Sequence, residues 1–364
     1  MNTNQVLIFG VGRSGTTDIY TLLQEILLNN YPDDIDFVYE PFFWDRQTFN
    51  KRYSDYKNDF TKTQSLSLDG IIADRTTDLF IGAEPDKQSI EHEYLQSIVA
   101  SSSKKNVITK FIRANGRISL FRKIAPKAKI LFVIRNPLDV VNSAVNMFDF
   151  FGDDFLPSDL KRFKTEVKRT PMYSKEITFG SREENTFAYW YYMNRHFVNY
   201  YKSNPQNIMP IVYEDYISKK ESSIRAICDF LDIKYKDSYV EVSNTKVGRI
   251  STNLNLTKVG CEYLKSKMGL YAELTSELGF NLKISEFIDK YSRMSFNVNK
   301  NDSYCAKNTL FLKSVINNLA TLDKNKQNEI KKLEHKVSDQ QNEIKKLEHK
   351  VSDQQNEIKK LEHK

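Results

Sequence analysis

The sequence predicts an α/β protein: a P-loop-like parallel sheet flanked by helices, followed by a C-terminal α-helical coiled coil. Three observations carry that expectation. Short apolar runs of strand length alternate with helical patterns through the body of the chain. The first run, Val6-Leu7-Ile8-Phe9, opens into Gly10-Val11-Gly12-Arg13-Ser14-Gly15-Thr16-Thr17, a loop of Gly, Ser and Thr with one Arg. Near the other end, a segment beginning at Gln327 recurs from Gln341 and again, truncated, from Gln355.

After the loop, Ile19, Leu22, Leu23, Ile26 and Leu27 recur at helical spacing within Thr17 to Leu28. Ile35 to Tyr39 reads as the second strand and delivers Glu40-Pro41. Pro41 disfavours helix at the residue before it, so Glu40 is expected at a strand end. From Phe42 to about Ser103 the pattern is irregular and polar, and residues 44–104 are expected to form an insertion that shapes an acceptor site. Asn106 to Ile112, with Lys110 near its end, reads as the third strand, and a helix is expected from Arg117 to Ile124. Lys129 to Ile134 is a short apolar run of the kind covered on both faces of a sheet. Arg135 leaves its end, Pro137 suits a first helical turn, and Ser143 lies on that helix. Residues 150–180 show no clear period and are expected to form a loop over the site. Glu183 to Tyr201 predicts a long aromatic helix, and Asn207 to Tyr213 a strand ending in Tyr213-Glu214-Asp215. Ser222 to Leu231 predicts an amphipathic helix. Ligands bind beyond the carboxyl ends of such sheets, where Arg13, Glu40, Lys110 and Arg135 are expected to cluster.

The first loop has the composition of a phosphate cradle. Glycines let backbone N–H groups converge on an anion, and the next helix adds the positive end of its dipole. Gly10 and Gly15 have the spacing of an ATPase P-loop, but Thr16 stands where that motif has its Lys. A nucleotide triphosphatase without this Lys lacks the group that reaches the β- and γ-phosphates. The basic residue here is Arg13, inside the loop.

The order Arg13-Ser14-Gly15-Thr16-Thr17 resembles the 5′-phosphosulfate loop of the sulfotransferases, enzymes that use 3′-phosphoadenosine 5′-phosphosulfate (PAPS) as sulfuryl donor. Arg135 at a strand end and Ser143 eight residues later resemble the 3′-phosphate site of the same family. An Arg fork suits a terminal phosphate, and a Ser hydroxyl adds a donor. The resemblance covers roughly residues 4–285. Tyr39-Glu40-Pro41 with Trp44 is similar to a segment of carbohydrate 6-O-sulfotransferases of the N-acetylglucosamine and Nod-factor type. Tyr213-Glu214-Asp215 and Glu277-Leu278-Gly279-Phe280 are similar to shorter elements of the superfamily, whereas residues 44–104 match none.

The resemblance implies a sulfotransferase domain over residues 1–300 and transfer of a sulfuryl group from PAPS to an acceptor hydroxyl, foremost of a glycan or glycolipid. Gly12, Arg13, Ser14, Gly15, Thr16 and Thr17 would hold the 5′-phosphosulfate, and Arg135 and Ser143 the 3′-phosphate. Arg13 occupies the position of a catalytic Lys in cytosolic members. Lys110 would contact the sulfuryl group or the acceptor, or lie on the surface. Glu40 corresponds to a Glu that serves as base in tyrosylprotein sulfotransferases, a role that burial would support by raising its pKa. A carboxylate that binds acceptor hydroxyls is the other reading of Glu40. His92 and His196, each in a helical pattern, are the alternative bases and read more readily as structural. Glu214 and Asp215 are expected to hold the fold. An ATP-using kinase-like enzyme and a non-catalytic nucleotide-binding scaffold are the rival readings.

A net charge of +7 without a dense Lys/Arg run agrees with an anionic donor and points to no nucleic acid. The scheme needs no metal, and no His/Cys/carboxylate cluster suggests one. Cys228, Cys261 and Cys305 are far apart and read as thiols of a reducing compartment. No signal segment or long apolar span precedes the first strand, unlike the anchored Golgi members, which predicts a cytoplasmic enzyme of bacterial type. Residues 301–326 are expected to be a helical linker. In 327–364 the fourteen-residue period is two heptads: Ile330, Val337, Ile344, Val351 and Ile358 fall on a, and Leu333, Leu347 and Leu361 on d. This pattern predicts a homo-oligomer through the coil, weakened by Gln340 and Gln354 at d, of two or three strands.

Overall fold

All five strands of the described chain pair in parallel, and their order places the loop after the first strand at the centre of the sheet. The computed structural model describes residues 4–39, 104–112, 114–145, 163–164, 167–168, 175–245 and 255–292, with the backbone alone at 39 and 242–245. Strand β1 (Asn4–Gly10) feeds α1 (Thr16–Asn30), and β2 (Ile35–Tyr39) follows. After β3 (Asn106–Phe111), a 3-10 turn (Asn115–Arg117) runs into α2 (Ile118–Ile124). Next come β4 (Lys129–Ile134), α3 (Pro137–Ala144), α4 (Arg182–Ser203) and β5 (Ile208–Val212). The remaining helices are α5 (Tyr213–Ser218), α6 (Lys220–Leu231), α7 (Ser238–Thr245), α8 (Lys258–Ser266), α9 (Met268–Glu277) and α10 (Ile284–Ser292).

The strand order is β2-β3-β1-β4-β5. From β1 the chain passes β3 to reach β2, and from β3 it passes β1 to reach β4. The connections therefore leave β1 toward opposite sides, which opens a crevice at its carboxyl end. The register is continuous: Phe9 faces Phe111 on one side and Phe132 on the other. Strand residues one apart point to opposite faces, so two sets of side chains separate. Phe9, Phe111 and Phe132 share the face covered by α2 and α4, where Phe121 and Phe197 join them; the Phe132 and Phe197 rings stack at 3.7 Å. The opposite face carries Phe37, packed edge-on against Tyr20 of α1 at 6.3 Å, with Ile8, Ile108 and Lys110 in the same set.

Within the described residues the predicted strands and helices are present with small shifts at their ends, except in two places. The strand expected to run to Tyr213 stops at Val212, and Tyr213 opens α5 instead. The turn into helix lets Tyr213 and Glu214 bond back to α1 and to the end of β4, as described below. Of the loop expected over 150–180, residues 163–164 and 167–168 are helical. Phe163 is fully buried there, with Phe179, Tyr189 and Tyr192 packed around it, so this stretch contributes to the core. The insertion at 44–104, apart from Lys104, the linker at 301–326 and the repeat at 327–364 lie outside the described residues. Cys228 and Cys261 are buried free thiols. Among the described residues no helix is long and apolar enough to cross a membrane.

At Gly10 the neighbouring strand and α1 come close to the backbone. A Cβ there would lie 2.8 Å from the carbonyl oxygen of Val133 on the neighbouring strand. Gly10→Ala is therefore expected to destabilise the protein by about 1–3 kcal/mol. Gly269→Ala, at a helical position with nothing within 4 Å, should leave stability unchanged or raise it by up to about 1 kcal/mol. Denaturant midpoints of the two variants check the contrast.

Candidate functional site

The loop after β1 turns on two residues with positive φ, Arg13 at 73° and Gly15 at 91°. Ser14 N–H donates to the Val11 carbonyl at 3.1 Å and closes the turn. Gly15 caps α1 without a side chain, and its carbonyl accepts from the N–H groups of Asp18 and Ile19. A side chain at Gly15 would run into the ring of Tyr213, so the loop lies directly against that ring. The left-handed conformation is strained for Arg13. It is held from both ends of the residue: Arg135 Nη1 donates to the Arg13 carbonyl at 3.2 Å, and Arg13 Nε donates to Ser143 Oγ at 2.9 Å.

Arg135 leaves the carboxyl end of β4 and is clamped on several sides. Its Nη2 lies 3.3 Å from Asp139 Oδ2, and its guanidinium sits 4.9 Å from the centre of the Tyr213 ring. The indole N–H of Trp190 donates to its carbonyl at 3.1 Å. Asn136 caps α3 by accepting from the N–H of Asp139 at 2.9 Å. Glu214 Oε1 accepts from both the backbone and the side-chain nitrogens of Asn136, at 3.0 and 2.6 Å, while Glu214 Oε2 accepts from the Tyr271 hydroxyl at 2.6 Å. The Tyr213 hydroxyl donates to the Asp18 carboxylate. One turn beyond Asp139, Asn142 Oδ1 accepts from the N–H of Asn255 at 2.7 Å and joins the segment just before α8 to α3.

These contacts set the charges. Burial works against the Arg135 cation, but Asp139 and then Glu214 outweigh it and raise its pKa. Burial would raise the Asp139 carboxyl, yet Arg135 foremost, with Tyr291, Lys290 and Asn136, holds it down at about 2. Burial raises Glu214 and Asp18, the latter against a hydrogen bond from Tyr213 and the charge of Arg135. Burial, then the Asp18 charge, pushes the Tyr213 phenol up, which keeps it a hydrogen-bond donor.

Of the eight buried side-chain polar atoms without a hydrogen-bond partner among the described residues, two lie in the motifs, one in each: Ser14 Oγ and Arg135 Nε. A buried donor left unpaired is costly, and an anion seated across the two motifs would satisfy both. A cradle with glycine at its tight points and an unpaired donor at each end fits a ligand with two phosphate groups.

The family model described as "Sulfotransferase family" matches residues 5–237. The chain belongs to the sulfotransferase family. No curated protein sequence matches it. Solved structures that this sulfotransferase resembles include STF9 from Mycobacterium avium, at 13% identity over 75% of this chain and 77% of that one, with a TM-score of 0.43. The sulfotransferase domain of the Synechococcus PCC 7002 olefin synthase is 13% identical over 77% of this chain and 96% of that one, with a TM-score of 0.38. Mouse SULT7A1, solved with PAP, is 13% identical over 79% of this chain and 89% of that one, with a TM-score of 0.36.

Of the residues singled out in the sequence, Arg13, Ser14, Gly15, Arg135 and Ser143 converge as described. Gly12 and Thr16 are buried in the loop and the first turn of α1, and Thr17 is half-buried beside them. Lys110 is no surface lysine: its side chain is 1% exposed, on the α1 face of β3 near the carboxyl end. Glu214 holds the fold, as expected. Glu40 and His92 lie outside the described residues. His196 is half-buried one ring away from Tyr192 on α4. It lies about 9 Å further along the helix axis than Trp190, in the direction of Phe197 and the middle of β4, and so away from the cradle. Among the described residues no group of three His, Cys, Asp or Glu could hold a metal ion. Sequence reasoning missed Asp18, Asp139, Trp190 and Tyr271. Only Asp139 had a local signal, as the third residue after the Asn136 cap in a box-like pattern.

The Asp139 pKa predicts an acid-side signature. A carboxyl depressed on folding from 3.8 to about 2 adds about 2 kcal/mol of stability that is present above pH 4 and lost as the pH falls toward 2. Asp139→Asn should lose that increment. Urea midpoints of the two proteins should differ most at pH 5–7 and converge as the pH approaches 2.

Proposed function

We propose that this sulfotransferase moves a sulfuryl group from PAPS to a hydroxyl of a glycan or glycolipid. The observation that carries the reading is the meeting of the two motifs, with Arg13 Nε on Ser143 Oγ at 2.9 Å and Arg135 Nη1 on the Arg13 carbonyl at 3.2 Å. One ligand that bears both a 5′-phosphosulfate and a 3′-phosphate suits such a pair. In this reading the loop N–H groups, Ser14, Thr16 and Thr17 hold the 5′-phosphosulfate. Arg135 and Ser143 hold the 3′-phosphate.

The acceptor oxygen forms a bond to sulfur as the bond from sulfur to the bridging oxygen breaks. The bonding pair leaves with the 5′-phosphate, and the acceptor proton passes to a base. The products are the sulfate ester and 3′-phosphoadenosine 5′-phosphate (PAP). Arg13 is the group suited to the charge that builds on the bridging oxygen, and positioned charge of this kind supplies most of the rate. Glu40 is the proposed base. Lys110, buried beside β1, is proposed to contact the sulfuryl oxygens or the acceptor. The likeness of Tyr39-Glu40-Pro41 and Trp44 to carbohydrate sulfotransferases supports the saccharide acceptor. The heptads of residues 327–364 support assembly into a homo-oligomer, and the absence of disulfide spacing supports a cytoplasmic setting.

Thermal unfolding with PAP, ATP and ADP tests the donor. A ligand at about a hundred times its Kd stabilises by about 2.7 kcal/mol, and only PAP is expected to do so. A shift with ATP alone overturns the assignment of the two motifs to the donor. Arg13→Ala and Arg135→Ala should lower turnover by about two orders of magnitude or more, read as transfer of labelled sulfate to a glycan panel. Glu40→Gln should abolish turnover while PAP still stabilises the protein; unchanged turnover removes Glu40 as the base.

A further inference from the structure

Helix α10 reaches the donor site from the far end of the described chain. Its buried residue is Tyr291, and Phe287 one turn earlier packs edge-on against Tyr271 of α9 at 6.4 Å. The Tyr291 hydroxyl donates to Asp139 Oδ1 at 2.6 Å, and Lys290 Nζ lies 3.0 Å from the same oxygen. The other carboxylate oxygen, Oδ2, takes Asn136 Nδ2 at 3.0 Å and Arg135 Nη2 at 3.3 Å. An ionised carboxylate offers about four acceptor sites, and these four donors occupy them two to an oxygen.

The arrangement has a consequence for Arg135. A carboxylate bonded on one oxygen alone can rotate about its Cβ–Cγ bond and exchange its oxygens. With Tyr291 and Lys290 on Oδ1, the plane is pinned, and Oδ2 is presented to Arg135 in one direction. Arg135 in turn holds the Arg13 carbonyl, while its Nε has no partner. The fork is thus pre-set before any anion arrives, and preorganisation of this kind raises affinity by removing the cost of ordering.

We propose that Tyr291 and Lys290 are positioning residues for the 3′-phosphate of the donor: by fixing Asp139 they aim Arg135, so that docking of α10 sets how well the site tells a 3′-phosphorylated nucleotide from one without that group. The proposal rests on the reading of Arg135 as the 3′-phosphate residue. It extends the donor site to residues 151 and 152 positions beyond Asp139 in sequence.

The test is calorimetric titration of the full chain with PAP and with adenosine 5′-monophosphate, which lacks the 3′-phosphate. The wild type is expected to prefer PAP by about tenfold or more, and Arg135→Ala to lose that preference. Tyr291→Phe keeps the ring and removes only the hydroxyl. Lys290→Met removes the charge from a side chain that is 40% exposed, which leaves the packing of α10 in place. Each should weaken PAP about three- to tenfold and leave the monophosphate unchanged. A structural role alone would weaken both nucleotides equally or neither, and either outcome in both variants overturns the proposal. A wild type without preference for PAP, or an Arg135→Ala that keeps it, overturns the donor reading itself and the proposal with it.

Discussion

The fold must neutralise a buried guanidinium at the end of β4 before any ligand is present. An uncompensated charge in that position would cost several kcal/mol. Arg135 finds its compensation in Asp139 one turn on, in the face of Tyr213 and in the carbonyl of Arg13. Those three partners belong to α3, α5 and the loop after β1. Satisfying one cation therefore brings together the three segments that make the site. The same requirement explains why the chain turns into α5 at Tyr213, since a continuing strand would carry Tyr213 and Glu214 away from Asp18 and Asn136.

The solution has an electrostatic cost for binding. Asp139 is held in its ionised form beside Arg135, so in the proposed reading donor affinity would be a difference between attraction to Arg13 and Arg135 and repulsion from the carboxylate. The repulsion is limited because Lys290, Tyr291 and Asn136 draw on the same charge. Glu214 is treated differently. It is half-buried, burial raises its pKa, and its two oxygens are engaged by Asn136 and Tyr271.

What the sequence revealed and what it hid divide along a physical line. Each candidate motif is contiguous in sequence: the glycines, Arg13 and the start of α1 lie within one short segment, and Arg135 and Ser143 within another, so both are legible as local patterns. The sheet was legible because strands covered on both faces are uninterrupted apolar runs, as in Lys129–Ile134. Contacts between segments leave no such trace. Tyr213 and Asp18 are 195 residues apart, Tyr291 and Asp139 152, and nothing in either neighbourhood announces its partner. Lys110 was ambiguous for the same reason: the register against Ile8 and Tyr39, not its own surroundings in sequence, buries it. The proposed base, Glu40, stands one residue past the described end of β2, where the sequence remains the guide.

Arg13 shows how the site combines rigidity with freedom. Its backbone and its side chain are held by different partners. The backbone carbonyl accepts from Arg135, a charge-assisted bond of the stronger kind. The side chain donates to the neutral hydroxyl of Ser143 at the surface, a bond worth about 1 kcal/mol net. The loop thus keeps its strained turn through a bond that does not involve the Arg13 side chain. The Arg135 end of that bond is tied in turn to the core. Trp190 ties the Arg135 carbonyl to α4, and seven residues on, Phe197 of the same helix stacks on Phe132 in the middle of β4. In the proposed reaction this division would let the Arg13 side chain face the sulfuryl group while the backbone of the loop is held by Arg135.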